Sequence, residues 1–127
     1  MRQQVYAKYG GHCAYCGKSI SYEEMQCDHF VAKRRGTDQA YWDSYASKGG
    51  KKIVVGTDEL SNLMPACRQC NFRKGEETVE TFRQNLRKQA AGEMKRFQAR
   101  QSADYGLIEY HDHPITFYFE KYGKHND

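Results

Sequence analysis

The sequence contains no stretch of about 18 or more apolar residues, which argues against a segment that spans a membrane. Its N-terminus also lacks the apolar core of a secretory signal peptide. Only 39% of the 127 residues are hydrophobic and the mean hydropathy is -0.96, so we expect a small core for a chain of this length. These deficits predict a cytoplasmic, single-domain protein, for which a structural metal is a plausible supplement to apolar burial.

Cysteine occurs in an odd number, five, which argues against a complete framework of intramolecular disulfides. Four form two C-x-x-C pairs, Cys13 with Cys16 and Cys67 with Cys70, and Cys27 is left to fill the core. In a reducing compartment such pairs bind metal more often than they form disulfides, and two pairs supply the four thiolates of a zinc site. The spacing predicts a zinc ion that joins two distant segments; redox pairs or free thiols are the alternative.

The net charge of +4 and the pI near 8.8 make the chain mildly basic, which favours a polyanionic partner without requiring one. Hydrophobic periodicity predicts an α+β protein, in which Gly92 kinks or splits the longest helix. The expected elements are a helix or turn at about 5–11, a strand at 25–31, a helix at 39–47 capped by Thr37 or Asp38, a strand at 51–55, helices at 67–74 and 78–101, and a strand at 115–119.

Three polar residues have side chains suited to phosphodiester chemistry. The Asp28 carboxylate and the Asn71 amide oxygen are hard ligands of the kind that Mg²⁺ or Mn²⁺ prefers, and a neutral His29 imidazole can take a proton from water near pH 7. Neighbours on a strand point to opposite faces, so Asp28 and His29 serve one site only if the backbone turns there. Taken alone, the Asp-His dipeptide is more typical of a surface turn.

The order of these features resembles that of the HNH endonucleases, of the zinc-bearing ββα-metal type. The residues that carry the resemblance are Cys13, Cys16, Asp28, His29, Asn62, Leu63, Cys67, Cys70, Asn71, Lys74 and Gly75. The resemblance does not extend to the rest of the chain. Asn71 stands where the family often has histidine, a variant that also occurs in the family, and this leaves the metal preference open.

The resemblance implies a divalent-metal-dependent endonuclease that hydrolyses DNA, with double-stranded DNA as the expected substrate, and leaves 5′-phosphate ends. His29 would be the general base, and Asp28 and Asn71 would hold one catalytic Mg²⁺ or Mn²⁺. Asn62 would tie down the loop between the two strands and help to orient His29. A structural Zn²⁺ would be held by the four cysteines named above.

The resemblance also implies the fold: a small, zinc-stapled ββα-metal core, similar to a treble clef, within a single nuclease domain that spans residues 1–127. The core would occupy about 9–75, and the long segment at about 33–55 would be an insertion into the hairpin. A C-terminal extension at about 78–120 would add a helix and a strand.

Basic residues near these motifs are candidates for phosphate contacts, with a solvated surface as the alternative. These candidates are Arg34, Arg35, Arg68, Arg73 and Lys74. The histidines at 111, 113 and 125 have no spaced partner that would support a metal site, so structural or surface roles are expected.

Two rival functions are compatible with the zinc signal: a nucleic-acid-binding module without cleavage activity, and an adaptor between proteins. The presence of both Asp28 and His29 favours the nuclease, because a pure binder needs neither. A bacterial or phage-encoded protein is expected. One catalytic site cuts one strand, so a homodimer is one route to a double-strand break.

Overall fold

The protein, seen in a computed structural model that describes residues 1–123, is a small α+β protein with one two-stranded antiparallel sheet. Its elements are α1 (Arg2–Ala7), β1 (Gln26–His29), α2 (Gln39–Ser47), a 3₁₀ helix (Leu60–Asn62), β2 (Leu63–Ala66), α3 (Arg68–Lys74), α4 (Val79–Met94), α5 (Phe97–Asp104) and α6 (Tyr118–Lys121). His125 lies outside the described residues. None of the helices described is long and apolar enough to cross a membrane.

The chain forms two compact units, the first made of residues 1–78 together with the segment from Phe117 onward, and the second of residues 79–116. The first unit contains the sheet, the cysteines and helices α1, α2, α3 and α6. The second contains α4 and α5. The assignment of residues 1–127 to one nuclease domain stays a prediction.

The sheet forms the centre of the first unit. β1 pairs with β2 in a register that sets His29 opposite Leu63. All of β2 is buried, as expected for a strand made only of apolar residues. Pro65 has no N–H to donate, but its carbonyl oxygen accepts a hydrogen bond from Ala14 N at 2.8 Å, which ties the N-terminal segment to the sheet. The predicted strand at 25–31 is confirmed with shorter bounds.

Helix α3 follows β2 directly. Its N-cap is Cys67, whose Sγ accepts a hydrogen bond from Cys70 N at 3.4 Å. The helix ends at Gly75, where a φ of 55° favours glycine. The predicted helix at 67–74 is therefore confirmed.

Helix α2 confirms the expected helix in the insertion and one of its two proposed caps. The Asp38 carboxylate accepts a hydrogen bond from Tyr41 N at 2.9 Å. The Trp42 ring donates through Nε1 to Thr37 Oγ1 at 2.8 Å, and the Arg34 guanidinium stacks over the same ring at 5.2 Å. Two aromatic side chains of this helix nevertheless remain exposed.

The predicted strand at 51–55 is wrong. The side chain of Gln39 binds this segment instead, because its Nε2 donates to Ile53 O and its Oε1 accepts from Val55 N, both at 2.8 Å. One side-chain amide thus supplies hydrogen bonds that a neighbouring strand would otherwise provide, and the described residues form no second sheet.

The predicted C-terminal strand at 115–119 is also wrong, since its last part is the single helical turn α6. Glu120 stabilises that turn by accepting a hydrogen bond from Phe117 N at 2.8 Å. The alternation of aromatic residues reflects packing against the N-terminal segment rather than a sheet: Phe117 is buried and Phe119 N donates to Ala14 O at 2.7 Å.

The long helix predicted at 78–101 is divided in two, and Gly92 is not the place of the break. α4 ends at Met94 and α5 begins at Phe97. The N–H groups of Lys95 and Arg96 donate to the carbonyl oxygens three residues earlier, at 3.2 and 3.1 Å, which is the tighter hydrogen-bond pattern of a 3₁₀ turn. The backbone of Arg96 is then extended, and this separates the two helices.

Two arginines on α4 bind the segment that follows α5. Arg87 contacts both carboxylate oxygens of Asp112, at 2.9 and 3.0 Å, and Arg83 Nη1 donates to Ile115 O at 2.5 Å. Both arginines therefore have partners within the second unit.

Candidate functional site

Four cysteine sulfur atoms meet where the N-terminal segment reaches the start of α3. The Sγ atoms of Cys13, Cys16, Cys67 and Cys70 all lie within 4.8 Å of one another, and those of Cys16 and Cys67 are 3.9 Å apart. Zn–S bonds of about 2.3 Å in a tetrahedron place the sulfurs about 3.8 Å apart. Both the donor set and the spacing therefore fit zinc, and the prediction that the two pairs form one cluster is confirmed.

Hydrogen bonding within the cluster favours one anionic sulfur. The contact with Cys70 lowers the pKa of Cys13 to about 4, and the same contact raises the pKa of Cys70. Burial raises the pKa of the Cys16 thiol. Because zinc binds thiolates, a cation held by this cluster would offset the repulsion among the sulfurs and join the two segments.

A fully buried lysine connects α3 to β1. Lys74 Nζ donates to the backbone oxygen of His29 at 3.0 Å and lies 3.2 Å from Asp28 Oδ2. The Tyr15 hydroxyl donates to the same carboxylate oxygen. Burial raises the pKa of Asp28, and the contacts with Tyr15 and Lys74 oppose that shift. Since Tyr15 lies between the two N-terminal cysteines, this network links the cysteine cluster to the strand.

The imidazole of His29 is accessible, with 26% of its side chain exposed. Its Nε2 lies 2.8 Å from Asp58 Oδ1, and Lys33 Nζ donates to Asp58 Oδ2 at 2.5 Å. The Lys33 ammonium and then His29 hold the pKa of Asp58 below its usual range, so Asp58 is a carboxylate at neutral pH. An accessible imidazole bonded to a carboxylate can accept a proton from water.

Asn62 joins the two loops that flank His29. Its Oδ1 accepts from Val31 N at 2.9 Å, and its Nδ2 donates to Val31 O at 3.0 Å and to Thr57 O at 2.7 Å. The loop after β1 is thereby tied to the loop that carries Asp58. These contacts act on His29 through the backbone and Asp58.

The predicted site residues divide between two faces of β1. Asn71 Nδ2 donates to Gln26 Oε1 at 2.6 Å, and Gln26 and Asp28 share a strand face because they are two residues apart. His29 points to the other face. Since β1 continues through both Asp28 and His29, the backbone turn that would bring them to one face is not present.

The catalytic cation that the resemblance implies does not fit this arrangement. Asp28 is only 5% exposed, and its Oδ2 already has the Lys74 ammonium at 3.2 Å and the Tyr15 hydroxyl as partners. A second positive charge at the same carboxylate would be repelled by Lys74. Binding of Mg²⁺ or Mn²⁺ by Asp28 and Asn71 stays a prediction from the sequence.

The predicted phosphate-binding residues differ in how far their side chains are exposed and able to contact a phosphate. Arg35, Arg68 and Arg73 are exposed. Arg34 is stacked on the insertion helix and lies 3.8 Å from a glutamate, with 24% of its side chain exposed. Lys74 is fully buried, so its ammonium is not available to a phosphate, and its predicted role in phosphate binding is wrong.

Sequence reasoning missed three residues of this region. Asp58 looked like an ordinary turn residue, and only the fold brings it to His29. Tyr15 lies between two cysteines, and nothing in the sequence singled it out. Phe72 carried no recognised signal, yet it is 80% exposed on α3, one position before Arg73. An aromatic residue among arginines beside a C-x-x-C motif is a signal that could have identified Phe72 in advance.

No protein-family model and no curated protein matches the chain. Among solved structures, the chain is similar to a type II-C Cas9 enzyme from Actinomyces naeslundii, with a TM-score of 0.48 and 22% sequence identity. The similarity covers 67% of this chain and 8% of that chain, so it involves a small part of the Cas9 enzyme. A similarity of this size identifies neither a family nor an activity for this chain.

Proposed function

We propose that this chain is an endonuclease that hydrolyses phosphodiester bonds of double-stranded DNA, with His29 as the general base. The observation that carries the proposal is the placement of His29 at the end of β1. Its imidazole is accessible, while its backbone oxygen accepts a hydrogen bond from the buried Lys74 at 3.0 Å. The imidazole is therefore accessible to solvent, while the strand that carries it is fixed to α3. The order of cysteine, Asp-His and asparagine motifs, which resembles that of HNH endonucleases, supports the reaction class.

In this proposal, a neutral nitrogen of His29 removes a proton from a water molecule, whose oxygen attacks the phosphorus. The bond to the 3′ oxygen breaks, and that oxygen takes a proton from solvent, which leaves a 5′-phosphate and a 3′-hydroxyl. General base catalysis contributes about 10²- to 10⁴-fold to such a reaction. The phosphate gains negative charge in the transition state, and Lys33, held on the same carboxylate as His29, brings a positive charge to this region.

The cation requirement is a separate part of the proposal. The resemblance implies one Mg²⁺ or Mn²⁺ at Asp28 and Asn71, but the ion pair between Lys74 and Asp28 opposes that placement, so the proposal assigns no ligands to the cation. No step above passes through that ion, because Lys74 already neutralises Asp28. The roles of His29 and of the cation can therefore be tested independently.

DNA binding is proposed to use the exposed arginines of the insertion and of α3, Arg35 and Arg68 in particular. Each phosphate contact that is lost reduces the slope of log K against log salt by about 0.9. Replacing both residues by glutamine should therefore reduce the slope by about 1.8. The matched control replaces Lys88 and Lys95, which are exposed in the second unit. Equal slope changes in both double variants would contradict this assignment.

The direct test of the proposal is the nicking of supercoiled plasmid by the wild type and by His29→Ala. We expect nicks with 5′-phosphate ends from the wild type and a rate lower by at least about 10²-fold in the variant. The control is His113→Ala, because His113 is exposed in the second unit. A purified wild type that binds plasmid without nicking it, with and without Mg²⁺, would contradict the proposal.

The second candidate function is a zinc-bound nucleic-acid-binding module without cleavage activity. It is favoured by one observation: Asp28 has a structural partner in Lys74, so its presence no longer requires a catalytic role. The plasmid experiment separates the two functions, since both predict salt-dependent binding but only the nuclease predicts nicks.

A further inference from the structure

We propose that Asp58 is a positioning residue that fixes the ring orientation and the tautomer of His29. This inference rests on the proposed function, because it concerns how the proposed base is held. Asp58 would direct the Nε2–H of His29 to its own carboxylate and leave Nδ1 as the nitrogen that receives the proton from water.

The contact itself is direct. His29 Nε2 lies 2.8 Å from Asp58 Oδ1, although the two residues are 29 positions apart in the sequence. The second carboxylate oxygen accepts from Lys33 Nζ at 2.5 Å. The carboxylate is thus held from two sides and presents one defined oxygen to the imidazole.

The loop that carries Asp58 is also fixed by its backbone. Gly56 N donates to Ala32 O at 2.8 Å, and Asn62 Nδ2 donates to Thr57 O at 2.7 Å. Gly56 lies so close to the segment after β1 that a Cβ atom there would meet Val31 O at 1.7 Å. The position of Asp58 beside His29 is therefore a consequence of loop packing, although its own side chain is 66% exposed.

The chemistry of the two groups determines the tautomer. An ionised carboxylate only accepts hydrogen bonds, so the imidazole nitrogen that faces it must carry the hydrogen. In a neutral imidazole the other nitrogen is then an acceptor, which is the form that a general base requires. Without Asp58, both tautomers would be populated and the ring could rotate away from the substrate.

The test compares Asp58→Ala with Glu59→Ala, which removes the neighbouring exposed carboxylate. The ¹⁵N chemical shifts of the His29 ring in the full chain report its tautomer without any need for cleavage. We expect the Nε2–H tautomer in the wild type and in Glu59→Ala, and a mixture in Asp58→Ala. In Asp58→Asn the amide oxygen can still accept a hydrogen bond, so the Nε2–H tautomer should be partly recovered.

Cleavage kinetics give the second readout. Asp58→Ala should lower kcat by about 10- to 100-fold, the range seen when a metal-binding histidine loses the group that orients it. If Asp58 acted only through its negative charge, Asp58→Ala would instead change KM, because the variant would bind DNA more tightly. An unchanged tautomer in Asp58→Ala would overturn the inference even if the wild type cleaves DNA. A tautomer that changes in a chain without nicking activity would support the contact and contradict the proposed function.

Discussion

The ion pair between Lys74 and Asp28 provides the sharpest prediction for stability. Lys74 is fully buried and Asp28 is 5% exposed, so Lys74→Met removes the ammonium and leaves a buried carboxylate without its counter-charge. Removing one partner of a buried pair costs about 3–5 kcal/mol. Since small proteins unfold with about 5–15 kcal/mol, the variant should lose a large fraction of its stability.

The measurement is the free energy of unfolding from urea denaturation at pH 8 and at pH 5. Burial raises the pKa of Asp28, and loss of Lys74 raises it further, so lowering the pH protonates the carboxylate in the folded state. Folding then takes up a proton, which stabilises the variant as the pH falls, and the loss should be smaller at pH 5. The control Lys48→Met, at an exposed lysine, should change the free energy of unfolding by less than about 0.5 kcal/mol at both pH values. A loss below about 1 kcal/mol in Lys74→Met at pH 8 would refute the reasoning.

Two further predictions concern the cysteine cluster and the loop beside His29. The purified protein should contain about one zinc per chain by metal analysis, and Cys70→Ser should lower both zinc content and melting temperature; a stable, zinc-free wild type would contradict the assignment. Gly56→Ala should lower the free energy of unfolding by more than about 1 kcal/mol, because its Cβ would meet Val31 O at 1.7 Å. Gly92→Ala, in open space within α4, should instead raise it by about 0.5–1 kcal/mol, and equal effects of the two substitutions would refute the packing argument.

Local patterns predicted the parts of the fold in which neighbouring residues determine the structure. The cap and bounds of α2 and the start of α3 follow from short-range signals, and the four cysteines meet as their spacing indicated. The two strand predictions were wrong for one physical reason. In both segments, backbone groups form hydrogen bonds with distant residues that do not belong to a sheet. The Gln39 side chain forms these bonds at 51–55, and Ala14 forms one near the C-terminus.

The candidate site shows the same limit of sequence reasoning. His29 was recognisable from its motif, but its partner Asp58 was not, because the contact depends on how Gly56 and Asn62 dock two loops. The environment of Asp28 was also unpredictable, since a lysine in a C-x-x-C helix looks like a solvated charge until the fold buries it. Its charge and its position near the C-x-x-C motif therefore suggested phosphate binding for Lys74, whereas its burial makes it a structural counter-ion.

The central claim is that His29 performs chemistry rather than binding. It is tested most directly by measuring, on one supercoiled plasmid, both the affinity and the single-turnover nicking rate of the wild type and of His29→Ala. The account predicts affinities equal within about twofold and a nicking rate at least about 10²-fold lower in the variant. Equal nicking rates, or a loss of rate that follows an equal loss of affinity, would contradict it.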